Sequence, residues 1–240
     1  MESLRTMARE RLLMRPTPFT PLIESALKVQ HFGLPEPIRT VRPYSLLSLL
    51  NLLFLKELTH RVEAAGLEGD FVECGVYKGG SAGLLAYEAT RSRFPRRIWL
   101  YDAFAGMPVA NPTKDDRHSQ EIQGGFVGSE WQTRRIMNRL GIPESRFTID
   151  VGWFDSTLPS SPVEKIALLH VDCDFYDPVK LVLHTYYDRL QPGGYVILND
   201  YNSFAGCRAA TDEFLSRMQL RLPVITIDCD AAYFQKPLSA

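Results

Sequence analysis

Apolar positions along the chain gather into short continuous runs, and between the runs they recur at the spacing of a helix face. Residues 70–74, 97–102, 146–151, 166–172 and 195–200 read as strands, the last of them behind a turn at Pro192-Gly193-Gly194, and residues 79–90, 130–140, 178–190 and 206–218 as helices. The run Ile166-Ala167-Leu168-Leu169-His170-Val171 is apolar at every position but one, as expected of a strand covered on both faces in the middle of a sheet. The last two runs, 223–228 and 231–235, flank the tight turn Asp228-Cys229-Asp230 and read as a hairpin.

Alternating strands and helices with a closing hairpin predict an α/β fold: a Rossmann-like, doubly wound, mostly parallel sheet with an antiparallel C-terminal edge strand. Ahead of the alternation, residues 2–14 read as a short helix and prolines interrupt residues 16–43, so residues 1–43 form an N-terminal helical appendage. It is a candidate to pack on the sheet, to cover the ligand site, or to make a homodimer or higher homo-oligomer. Ser45 reads as the cap of a helix that runs to Ala65 and stops at Gly66. Residues 44–240 then form one domain, in which 104–130 lacks a period and is far longer than an ordinary α/β connection of ~2 to 6 residues, so it reads as a lid.

The length of 240 residues and the 45% hydrophobic content suit a single core. A net charge of -1, with Lys and Arg scattered, excludes the basic stripe that nucleic-acid binding needs. The greasy stretch 46–55 falls short of the ~20 residues that cross a bilayer, so no membrane association is expected. Cys74, Cys173, Cys207 and Cys229 show neither a disulfide framework nor a zinc spacing, and the start of the chain lacks a secretory pattern; both fit a cytoplasmic protein.

Candidate chemistry sits at two strand ends. The first is Glu73-Cys74-Gly75-Val76-Tyr77-Lys78-Gly79-Gly80-Ser81, where glycines permit either a tight strand-to-helix turn alone or a close backbone approach to a ligand. It is not the G-x-G-x-x-G of dinucleotide binding. With Asp102 ending the next strand, where an acid either faces solvent or takes a ribose, the pattern suits S-adenosylmethionine, which carries positive charge and no phosphate. The second is Asp172-Cys173-Asp174: two acids that leave one face of a strand, with Asn199-Asp200 ending the neighbouring strand about 4.8 Å away. Asp172, Asn199 and Asp200 are candidate ligands for Mg²⁺, against the alternative of solvated acids, and Asp177 before Pro178 reads as a helix cap. His118 in the lid is either solvated or a proton acceptor, while His170 reads as a core residue.

These segments resemble the macrocin O-methyltransferase family, which methylates hydroxyls of natural products with S-adenosylmethionine and a divalent metal. The resemblance rests on Gly69 to Ser81, on Tyr101-Asp102-Ala103-Phe104-Ala105-Gly106-Met107-Pro108, on Val151-Gly152-Trp153-Phe154-Asp155-Ser156-Thr157-Leu158-Pro159, on Val171 to Asp177, and on Pro192 to Tyr201. It implies a class I methyltransferase in which Glu73, Gly75 and Ser81 line the methionine end of the cofactor, Asp102 the ribose and Gly152-Trp153 the adenine side. Tyr77, Gly79, Phe104 and Asp172 complete the cofactor set. It also implies metal at Asp172, Asn199 and Asp200, with Asp174 as the general base and His118 as second choice. Asn199 departs from the family's first acid of an Asp-Asp pair. The substrate implied is a small natural product, with a sugar hydroxyl as acceptor; the rival readings are a metal-independent methyltransferase and a non-catalytic cofactor-binding or assembly protein.

Overall fold

A computed structural model describes residues 33–238; the expected helix at 2–14 lies outside them. Among the described residues, α1 (Ile38–Val41) and α2 (Leu49–Ala64) precede the first strand. The alternation then runs β1 (Asp70–Cys74), α3 (Gly80–Thr90), β2 (Ile98–Asp102), α4 (Arg117–Glu121), α5 (Glu130–Arg139), β3 (Phe147–Val151) and α6 (Phe154–Thr157). It closes with β4 (Ile166–Val171), α7 (Tyr176–Tyr186), β5 (Leu190–Leu198), α8 (Ala205–Arg217), β6 (Ile225–Thr226) and β7 (Ala232–Gln235).

The strands form one sheet in the order β3-β2-β1-β4-β5-β7-β6. The first five are parallel, and β7 runs antiparallel to both β5 and β6. The expected doubly wound sheet with an antiparallel edge is therefore present, the hairpin being folded so that its second strand meets β5. All six residues of β4 are buried, which is why its run is apolar: side chains on both faces meet a helical layer. One layer is α1, α2, α3 and α5, whose Val41, Leu52, Leu55 and Leu84 are fully buried with Leu168 and Ile197 of the sheet. The other is α7 and α8, whose Val179, Leu183 and Phe214 pack on Val72, Leu169 and Val196. Each such side chain contributes about 1.5–3 kcal/mol of transfer free energy. Ile38, Val41 and Tyr44 belong to the first of these clusters, so the end of the Pro-rich segment is core rather than surface.

Four local expectations change for physical reasons. Ser48, not Ser45, caps α2, its Oγ accepting the Asn51 N–H at 3.0 Å, because Leu47 is drawn into the core and the helix starts one turn later. Pro192-Gly193-Gly194 is not a turn ahead of β5 but an irregularity inside it: Ile166 pairs with Leu190 and Leu168 with Tyr195, and Gly193 absorbs the extra length at φ +83°. Helix α7 begins at Tyr176, whose N–H donates to Asp115 Oδ1 at 2.9 Å, so the cap comes from the segment 104–130 and not from Asp177. That segment itself holds α4, capped by Asp116, and is pinned by Asp115, whose Oδ2 accepts the Asn111 N–H at 2.7 Å. Among the described residues no helix is long and apolar enough to cross a membrane.

Candidate active site

Parallel pairing aligns the carboxyl ends of the central strands: Cys74 lies opposite both Tyr101 and Val171, and Val171 opposite Leu198. The residues that follow, Gly75, Asp102, Asp172 and Asn199, therefore emerge side by side, at the edge where open α/β sheets bind ligands. Gly75 is required there for packing. At φ +93° it passes so close to β4 that a Cβ would stand 1.7 Å from the Asp172 carbonyl oxygen. Beyond it Tyr77 is held at φ +53°, a conformation uncommon for a side chain of its size. Asp102 fixes this turn: its Oδ2 accepts the N–H groups of Val76 at 2.6 Å and Tyr77 at 2.8 Å, and its Oδ1 accepts that of Phe104 at 2.6 Å. A carboxylate offers about four acceptor positions, so one remains for a ligand hydroxyl.

The acids behind the turn form a cluster. Burial raises the Asp172 carboxyl to about 6, with the charge of Glu73 adding to it, while His170 and a hydrogen bond from Asn199 pull the other way. Burial and then the charge of Asp172 raise Asp174 to about 7. Asp200 is pushed well above the carboxylate range by burial and by Asp174 and Asp172. Asp174 also sits at φ +55°, a left-handed conformation that Asp tolerates better than most residues and that marks functional positions. Asn199 Nδ2 donates to Asp172 Oδ1 at 2.9 Å and to Asp200 Oδ1 at 3.4 Å. Asp200 Oδ2 is buried without a partner among the described residues. Like charges with an orphaned oxygen are what a hard cation offsets, so the acids fit Mg²⁺. Asn199 fits less directly, since the atom it turns to the acids is a donor.

A cavity of about 660 Å³ opens over these groups. Its wall brings together Gly75, Tyr77, Ser81, Asp102, His118, Gly152, Trp153, Asp172, Asp174, Asn199 and Asp200. Three residues expected to line the cofactor lie outside it. Glu73, within β1, is fully buried, its Oε1 2.8 Å from His170 Nδ1. Burial opposes charge on His170, but the bond and charge of Glu73 outweigh it and raise the imidazole pKa. Neither Glu73 Oε2 nor His170 Nε2 has a partner among the described residues, and the ligand atoms of this pair and Asp172 lie within 4.8 Å of one another. Gly79 packs against Thr133 of α5, and Phe104 turns into the core at φ +51°, contributing its N–H rather than its ring. Trp153 and Phe154 reach the cavity, whereas the nearby aromatic residues Trp131, Phe175, Tyr176 and Tyr201 do not line it.

The wall also includes residues that the sequence did not single out. Tyr44, Ser45 and Leu46 to Ser48 form its side above the glycine turn, Asn51 of α2 reaches the acid cluster, and Ser203 and Phe204 close it near His118, whose ring lies 5.6 Å from that of Phe204. The only signal for Asn51 was a polar interruption in a greasy run.

Comparison with known proteins agrees with this fold. The family model described as macrocin-O-methyltransferase (TylF) matches residues 42–236. The chain is 31% identical over 197 residues to the 8-demethyl-8-(2,3-dimethoxy-alpha-L-rhamnosyl)-tetracenomycin-C 4'-O-methyltransferase of Streptomyces olivaceus, covering 80% of this chain and 75% of that protein. It is 30% identical over 205 residues to the mycinamicin III 3''-O-methyltransferase of Micromonospora griseorubida, covering 79% and 78%. The solved structure of the O-methyltransferase NovP superposes with a TM-score of 0.75 at 28% identity, over 81% of this chain and 82% of that one. The chain belongs to the macrocin-O-methyltransferase (TylF) family and is an O-methyltransferase with the class I fold.

Proposed function

We propose that the protein methylates a hydroxyl of a small natural product, with a sugar hydroxyl as the leading acceptor, using S-adenosylmethionine with the assistance of Mg²⁺. One observation carries the reading: the cavity wall holds seven aspartates and neither lysine nor arginine, so its field concentrates cationic ligands over a glycine turn. The tetracenomycin relative, named for the 4'-O-methylation of a rhamnosyl-bearing compound, supports the choice of acceptor.

When bound, S-adenosylmethionine supplies an electrophilic methyl group, and a divalent ion lowers the pKa of a bound hydroxyl. The chain's own residues do the rest. The backbone from Gly75 to Tyr77 and Ser81 takes the methionine end, Asp102 offers its remaining lone pair to the ribose, and Gly152 with Trp153 flanks the adenine. Asp172 and Asp200 hold the ion. Asp174, raised to about 7, accepts the substrate proton on its carboxylate at neutral pH. His118 faces the same cavity and is the second candidate for that proton.

The amide that Asn199 presents to the acids favours one rival, a metal-independent transfer. A methyl-transfer assay with glycosylated acceptors divides the two. EDTA should abolish turnover and Mg²⁺ restore it, whereas undiminished turnover in metal-free buffer would leave the metal-independent reading standing.

A further inference from the structure

Asn51 lies at the start of α2, 2% exposed, and has no role in the site as described so far. Its backbone N–H donates to Ser48 Oγ, and that hydroxyl donates in turn to Asp228 Oδ2 at 2.5 Å in the β6–β7 turn, so the base of the side chain is fixed. Its Nδ2 donates to Asn199 Oδ1 at 2.5 Å. Asn199 then directs its own Nδ2 at Asp172 and Asp200. The other end of the Asn51 amide, Oδ1, is buried with no partner among the described residues, as is Asp200 Oδ2.

The two ends of a side-chain amide have nearly the same shape, so a half-turn exchanges donor and acceptor without changing volume. Asn199 cannot make that turn alone, because its NH₂ would then face the NH₂ of Asn51. If both turn, Asn199 Nδ2 donates to the Asn51 Oδ1 that now lacks a partner, and Asn199 Oδ1 faces Asp172 and Asp200. Three oxygens facing one another repel unless a cation lies among them.

We propose that Asn51 and Asn199 are a coupled amide pair that reverses when the acid cluster takes a divalent cation. The neutral residue at 199 is thus a hydrogen-bond donor without the ion and a carbonyl ligand with it. Asn51 is the positioning residue that makes both states available. The inference rests on the cation reading above and adds a residue to it.

The test measures Mn²⁺ binding by electron paramagnetic resonance and Mg²⁺ binding by calorimetry in four proteins: unaltered, Asn51→Asp, Asn199→Asp, and the double variant. Once ionised, the carboxylate of Asn51→Asp is an acceptor only and holds Asn199 in the turned orientation, so at about pH 8, where Mn²⁺ favours the ionised form, it should tighten Mn²⁺ by about tenfold or more. In the Asn199→Asp background there is no amide to turn and two carboxylates face each other, so the same change should give no gain. Equal tightening in both backgrounds would be the effect of added charge and would overturn the pair while leaving the cation reading intact. Binding by none of the four proteins would remove the cation reading itself, and the pair with it. A measurement on the unaltered protein does not depend on the variants folding: the side-chain NH₂ signals of Asn51 and Asn199 should shift together as Mg²⁺ is added. Movement of the Asn199 signal with Asn51 unmoved would overturn the coupling.

Discussion

Replacing Asp174 with Asn should stabilise the ion-free protein and disable it, with the stabilisation confined to neutral and alkaline pH. In the unfolded chain this carboxyl loses its proton at about 4; in the folded protein burial and the Asp172 charge delay that to about 7. Between these values the folded state holds the extra proton, so its stability falls as pH rises and the loss is complete above the folded value. A shift of about 3 units at about 1.4 kcal/mol each sets a ceiling near 4 kcal/mol. The cavity side of the carboxyl is partly open to water, and Asp172 shares the repulsion, so a gain of about 1–3 kcal/mol is expected for Asp174→Asn at about pH 8. At about pH 5 the parent is already protonated there, and the two proteins should unfold alike. Asn matches the shape of Asp and tolerates the left-handed backbone, so no compensating strain enters. The assay is urea unfolding followed by circular dichroism in EDTA at both pH values. A gain of the same size at both, or none at either, would refute the account of the cluster. Methyl transfer should fall by about 10²–10⁴-fold in the same variant if Asp174 takes the proton.

Gly75→Ala adds a Cβ 1.7 Å from the Asp172 carbonyl oxygen in a left-handed residue. Left-handed strain and overpacking together should cost about 2–5 kcal/mol and abolish cofactor binding in calorimetry; a variant that melts and binds like the parent would remove the packing argument. Asp115→Ala leaves the N–H groups of Tyr176 and Asn111 without their acceptor, which should cost about 1–3 kcal/mol and speed limited proteolysis within 104–130; unchanged cleavage would mean that the lid is held elsewhere.

The sequence made the sheet legible because its strongest signals are local. A run buried on both faces has to be apolar throughout, as β4 is, and a turn at a strand end has to be glycine where Gly75 meets Asp172. The same logic put Asp102, Asp172, Asp174 and Asp200 at one edge, since parallel register carries strand ends together. Contacts between distant segments left no such trace. Asn51 and Asn199 are 148 positions apart, and Asp115 lies 61 positions from the helix it caps. Each looks locally like an ordinary polar residue in a helix or a loop. Glu73 lies outside the cavity for a related reason: strand alternation fixes which face it takes, but not that His170 on β4 stands opposite to claim it.

The residue at 199 then bears on how the two acids of Asp172-Cys173-Asp174 divide their work. Both carboxyls are raised by burial and the charge of Asp172 raises Asp174 further, so by position alone they would compete for the same proton. Asn199 breaks the tie. Its N–H reaches Asp172 and favours the ionised form there, and His170 adds to that from below, while Asp174 faces further acids in Asp172 and Asp115. Asp172 at about 6 is the more readily held anion, and Asp174 at about 7 is the better proton acceptor near neutrality. A carboxylate at 199 would add charge for a cation but remove this N–H, raising Asp172 toward its neighbour whenever the ion is absent. The neutral side chain keeps the two roles apart in the ion-free protein, and that separation depends on which end of its amide Asn51 allows it to present.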